Sequence, residues 1–561
     1  MTSRAHAWLT QVIVAMTAAT AAVVHADARG ETISFDWFEY TGRDAVFEQP
    51  LPSGHYRNPI LAGFYPDPSI TRAADRFYLV NSTFAFFPGI PVFESRDLVH
   101  WTQIGNAIDR PSQLNFAGLG VSRGVFAPTI EHHDGVFYIF NTHVDAGGNY
   151  VITARDPAGP WSDPTWLPDL EGGIDPSMFV DEDGRAYVLN NGPPEGPPKY
   201  AGHRAIWIQE FDRAALKTKG PRKVLVDGGI DLSRKPIWIE GPHLLMREGW
   251  YYLSCAEGGT GPQHSQVILR SRSPWGPFTP GEINPILTQR DLPVERANPV
   301  TNAGHADLVQ APDGSWWATF LASRTYGDGH YNTGRETFLL PVTWRDGWPL
   351  VLERGKSIPA VVKGPDFMDS GAQSPLSGNF TWRDDFGKPD LDLAWLRLRT
   401  AERPWFDLKR TPGVLVIESR DALDRKATPA FLARRQQHLS FDASLSMRTP
   451  TSSNVAAGLL LFQDEMHWLL IGVRRKGGAL QVFVEKQRGE HTEVVASESI
   501  ASLESLELKV TGEHRNYSFL FRPNDRDAWR LLKANEDGST LSSDVAGGFV
   551  GAVMGPYVRN E

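Results

Sequence analysis

Five segments in the first two-thirds of the chain share one grammar, and this repetition constrains the fold more than any other feature. They are DPSITRAADRFYLVNS (67–82), APTIEHHDGVFYIFNT (127–142), DPSMFVDEDGRAYVLNN (175–191), EGPHLLMREGWYYLSCA (240–256) and GHADLVQAPDGSWWATF (304–320). Each opens on a polar or small residue, runs through two to four apolar ones, crosses a charged turn and enters an aromatic strand. Two short apolar runs joined by such a turn make a β-hairpin. From Asp175 to Gly184, Glu240 to Gly249 and His305 to Gly314 the offset is nine residues; Asp67 to Arg76 repeats it, and the Ala127 segment is one residue shorter. Successive units begin 48–65 residues apart, a period that predicts a five-bladed β-propeller with four-stranded blades. The many turn residues (52 Gly, 41 Pro) and 18 Trp agree with an all-β chain.

In a propeller the innermost strand of each blade meets the mouth of the central channel, so equivalent positions converge on one point. Those positions hold Asp67, Ala127, Asp175, Glu240 and His305. An aspartate before proline is common at turns for local reasons. Three carboxylates and a histidine on one ring are not, because crowded charges repel and lose solvation. Titratable groups gathered in a cleft point to a functional site.

The remainder of the chain reads differently. After an expected linker over 361–379, which includes DSGAQSPLSGN, the pattern becomes alternating strands. Leu506, Leu508 and Val510 alternate with Glu507 and Lys509, the mark of a half-buried strand. A C-terminal β-sandwich over 380–561 is therefore expected. At the other end, Arg4, an apolar run from Ala7 to Val24 and small residues up to Ala26 read as a signal peptide over 1–26, so the protein is expected to be exported, periplasmic or extracellular. Residues 27–55 are expected to pack on the propeller. Nothing after residue 30 is apolar for long enough to span a membrane. The net charge of −10, without any long basic run, argues against nucleic acid as partner. The single cysteine, Cys255, excludes an internal disulfide and sits in an apolar run as a core thiol.

Two carboxyl groups flanking a glycosidic bond can cleave it, one as proton donor and the other as base or nucleophile; a water between base and anomeric carbon gives inversion. A third carboxylate raises the donor's pKa and orients it. The competing reading is a metal site, with Asp67, Asp175, Glu240 and His305 around Ca²⁺ or a transition metal. His305 can also reach an ion through water or hydrogen-bond a carboxylate. Phe84, Phe86 and Phe87, just after the first aromatic strand, are expected to overhang the channel and pack on sugar rings. Arg335 can bind sugar hydroxyls and keep neighbouring carboxylates ionised.

The motifs NPILAGFYPDPSI, FFPGIPVFESRDLVHW, GVFAPTIEHHDGVFYIFNT, GGIDPSMFVDEDGRAYVLNN, IEGPHLL and TGRETFLL closely resemble glycoside hydrolase family 43, and within it β-xylosidases and α-L-arabinofuranosidases. The resemblance covers about residues 56–360, and the C-terminal region resembles the concanavalin A-like sandwich appended to family β-xylosidases. It implies a catalytic propeller and an inverting mechanism, with Asp67 as general base, Glu240 as general acid and Asp175 as the acid that tunes and orients the donor. It also implies that Arg335 contacts substrate and that His305 lies near the centre of the site, linked to calcium in some relatives. The expected activity is release of xylose or arabinose from plant-cell-wall xylan, arabinoxylan or their oligosaccharides. β-Xylosidase is favoured over α-L-arabinofuranosidase, with no cofactor required beyond a structural Ca²⁺ near the axis. A non-catalytic carbohydrate-binding propeller is the alternative of another class; a lectin has no need of a three-carboxylate ring. The loop NGPPEGPPKYAGHRAIW (191–207) departs from a plain hairpin connection and is expected to shape substrate choice.

Overall fold

The computed structural model describes residues 30–369, 371–372, 376–424 and 427–561. The expected signal peptide lies outside the described residues. Five antiparallel sheets, three of four strands and two of five, follow one another along the chain. They are built on the hairpins Ser69–Ala73/Arg76–Val80, Thr129–His133/Val136–Val144, Ile174–Val180/Ala186–Gly192, Glu240–Arg247/Trp250–Glu257 and Val300–Gln310/Trp316–Arg324. In each the first strand is innermost, and the five inner strands touch in order, the fifth returning to the first. This is a five-bladed propeller.

Side chains on these inner strands stitch the blades together. Ser69 donates to Asp307 Oδ2 at 2.8 Å while its own oxygen accepts from Ile130 N at 3.1 Å, linking blades one, two and five. The ring is closed by the segment before blade one. Asn58 exchanges hydrogen bonds with the backbone of Leu339 (2.8 and 3.0 Å), and Ile60 N donates to Thr337 O, both on blade five.

The C-terminal region is a sandwich of two eight-stranded sheets, with Leu445, Leu459, Ile471, Leu508 and Phe519 among its fully buried residues. Two of its strands come from outside the expected boundary. Residues Thr32–Gly42 do not pack on the propeller; they pair with Ser440–Arg448 on one side and with Leu415–Glu418 and Thr381–Asp384 on the other. The physical reason is in the segment itself. Ile33, Phe35, Phe38 and Tyr40 are buried in the sandwich core, a β-bulge near Trp37 keeping both halves inward. Likewise the expected linker is partly structured, since Val361–Lys363 pairs with His55–Arg57.

Sandwich, propeller and N-terminal segment meet at Arg324. Its guanidinium donates twice to Glu336 (both 2.8 Å), to Gln437 O at 2.7 Å and to Asp44, all buried. Arg324→Ala leaves two carboxylates buried without their counter-charge and is expected to cost about 3–5 kcal/mol of stability. Denaturant unfolding tests this; a loss below about 1 kcal/mol, the range of an exposed pair, contradicts it.

Candidate active site

Asp67 lies just before the innermost strand of blade one, Asp175 at the start of that of blade three and His305 within that of blade five, and all three have left-handed backbones (φ +51°, +53° and +50°). Such conformations in non-glycine residues cost about 1–3 kcal/mol each and persist where the surroundings enforce them. In blade four the matching position is Gly241, with φ +55°. Ladder register settles the correspondence: Glu240 pairs with Ala256 as Ile174 pairs with Asn191 and Gly304 with Leu321. Glu240 therefore stands one residue upstream of the ring position, contrary to the equal nine-residue offsets. A shorter hairpin turn at Glu248–Gly249 than at Asp181–Arg185 cancels the displacement.

All four side chains nevertheless face one cavity of about 330 Å³ at the end of the propeller axis, together with Arg335. Asp67 accepts from Ser82 Oγ at 2.6 Å and from Arg335 Nη1 at 3.2 Å, and His305 Nδ1 lies 3.3 Å from it. Burial alone would raise its pKa, but Arg335, His305 and Ser82 outweigh burial and hold the carboxyl well below the usual range. The same contact pushes His305 up to about 9, against its own burial, so its ring is a cation at neutral pH. Asp175 accepts from Gly241 N at 3.2 Å. Burial, with the charge of Asp67 adding to it, pushes Asp175 up to about 6. Glu240 has no protein hydrogen bond to its carboxyl among the described residues; burial first and Asp175 second push it up to about 8. One carboxylate is thus held ionised and another held protonated in the same pocket, the division that acid–base chemistry at a glycosidic bond requires.

The expected phenylalanines separate into two groups. Phe84 lines the cavity, within a triangle of rings completed by Phe126 of blade two and Phe549 of the sandwich, with centroids 5.5–5.9 Å apart. Phe86 and Phe87 do not reach it. They pair with Leu396–Leu398 as an edge strand of the sandwich and are buried in the core between the two domains. Arg335 joins the two halves, bonding Asp67 and also donating to Phe549 O at 3.2 Å. The loop carrying Phe549 is anchored by Phe549 N to Ser122 Oγ at 2.8 Å. Phe126, Phe549, Arg123, Trp238 and Thr260 also line the cavity and were not among the expected residues.

Among the described residues no group of three or more His, Cys, Asp or Glu has metal-holding geometry. His305 is committed as a charged donor to Asp67, and its far nitrogen abuts Gly241, where an added Cβ would lie 2.4 Å away.

Comparison with known proteins agrees with this geometry. The model of the family described as Glycosyl hydrolases family 43 matches residues 56–349, and that of the Beta xylosidase C-terminal Concanavalin A-like domain matches 383–561. This chain belongs to glycosyl hydrolase family 43. It is a glycosidase. A xylosidase/arabinosidase of Butyrivibrio fibrisolvens is 38% identical over 90% of this chain and 96% of the relative. A non-reducing end alpha-L-arabinofuranosidase of Bacteroides ovatus is 35% identical, over 90% and 92%. The crystal structure of a GH43_12 protein retrieved from a capybara gut metagenome superposes with a TM-score of 0.87 at 38% identity, covering 94% of this chain and 99% of that one. Among the described residues of the family 43 chain no helix is long and apolar enough to cross a membrane.

Proposed function

We propose that this family 43 enzyme hydrolyses terminal pentose units of xylan, arabinoxylan or their oligosaccharides with inversion, acting first as a β-xylosidase. The observation that carries the reading is the convergence of Asp67 and Glu240 on one pocket, the first bonded to Ser82 and Arg335 and the second with no protein hydrogen bond to its carboxyl among the described residues, which tunes the two in opposite directions. Asp67, kept anionic by Arg335 and His305, takes a proton from the attacking water. Glu240, kept protonated by burial and Asp175, gives its proton to the leaving oxygen. Asp175 keeps the donor's pKa up and, through the Gly241 amide, fixes the backbone beside it. Arg335 and the ring of Phe84 hold the sugar. The match of the C-terminal region to a β-xylosidase domain supports xylose over arabinose. The Bacteroides ovatus relative supports α-L-arabinofuranosidase as the second activity.

Incubation with xylobiose and with arabinoxylan tests the substrate: free xylose is expected from the first. Release of arabinose alone would reassign the pocket to the furanoside. The apolar leader over 7–24 supports export, and the mature protein recovered from its producing cells is expected to begin just after Ala26.

The pH dependence follows from the same groups. Glu240 works protonated, so kcat/KM falls as pH rises through about 8. In Asp175→Asn one of the charges that raise Glu240 is gone, its pKa drops, and the alkaline limb moves to lower pH as kcat falls. An unmoved limb in that variant removes Asp175 from the role of modulator.

A further inference from the structure

We propose that Trp238 is the platform on which the leaving-group sugar stacks, making this wall of the pocket a site for a second pyranose ring. The proposal rests on Glu240 being the proton donor: the leaving group lies beyond the oxygen that Glu240 protonates. Trp238 is two residues upstream of Glu240 on the same segment and lines the same cavity. The other aromatic rings of the lining, Phe84, Phe126 and Phe549, cluster with one another, and Phe84 and Phe549 flank Arg335 next to Asp67.

Trp238 is held as a fixed surface. Its backbone is left-handed (φ +47°), a conformation a tryptophan adopts only under constraint. Trp238 N donates to Gly202 O at 2.9 Å, and Ile237 O accepts from Gly258 N and Gly259 N at 2.9 and 3.1 Å. Behind the ring, Arg204 places its guanidinium 4.8 Å from the ring centre. Arg204 is itself clamped by Asn191 Oδ1 (2.9 and 2.7 Å) and Gly172 O (2.6 Å). One face of the indole is thus covered by a braced cation and Trp238 borders the cavity, while the neighbouring Ile237 is 51% exposed. The C–H face of a pyranose is apolar and is covered well by such a ring. The Pro/Gly-rich loop 191–207 then acquires a purpose: its Gly202 and Arg204 set the height and tilt of the platform.

The test compares wild type, Trp238→Ala and Trp238→Phe on xylobiose and on β-xylosyl fluoride, whose leaving group has no ring. Trp238→Ala is expected to lose about tenfold or more of kcat/KM on xylobiose, keep its rate on the fluoride, and regain most of the loss as phenylalanine. Trp238→Leu, with apolar bulk but no ring face, carries the same comparison should the alanine variant not fold. Equal losses on both substrates, with wild type active, overturn the platform and leave the proposed activity standing. Wild type inactive on both substrates overturns that activity, and the platform with it.

Discussion

Glu240→Gln is expected to lower kcat/KM on xylobiose by about 10²–10⁴-fold, the contribution of a positioned general acid. Glutamine keeps the size and the hydrogen-bonding reach of the side chain but has no proton to give. Because a sugar alkoxide leaves badly without that proton, the loss must depend on the leaving group. β-Xylosyl fluoride needs less assistance, so the variant should retain far more of its rate there. The alkaline limb near 8 should vanish with the carboxyl that causes it. Uniform loss across leaving groups would assign Glu240 another task. The folded state should be unaffected, since no protein partner among the described residues is bonded to this carboxyl.

Asp67→Asn should be at least as damaging, by about 10³-fold or more, and indifferent to the leaving group, because the missing step is activation of water. Asparagine is the informative replacement: it tolerates the left-handed backbone at φ +51° and keeps the bond to Ser82. Alanine would add backbone strain to the chemical defect. The variant also removes the anion that holds His305 protonated, so the His305 ring should titrate below its wild-type value near 9, visible in its imidazole NMR signals. A variant that keeps more than about a tenth of wild-type activity on both kinds of substrate contradicts the assignment of Asp67 as base.

The hairpin periodicity was legible because strand alternation and turn chemistry are local, and the propeller follows from repetition alone. The acids were legible for the same reason, although Glu240 joins the ring by a compensated shift: one residue upstream of Gly241, followed by a shorter turn. Side-chain length makes this workable, since a glutamate can reach from where an aspartate could not. What depended on distant partners was not legible. An aromatic after a strand looks alike whether it faces a channel, as Phe84 does, or an adjoining domain, as Phe86 and Phe87 do. The alternation of Thr32–Gly42 announces a strand but not which sheet receives it. Phe549 follows two glycines in a loop with no local sign that it closes a pocket hundreds of residues away in sequence. Trp238 could have been found, since it stands in IWIE beside the proposed acid.

The central claim, water delivered by Asp67 opposite a proton from Glu240, is tested most directly by the configuration of the first sugar released. Proton NMR of xylobiose hydrolysis should show α-xylose first at the cleaved end, with the β anomer growing in only by mutarotation. First appearance of β-xylose would mean a covalent intermediate and would contradict the account.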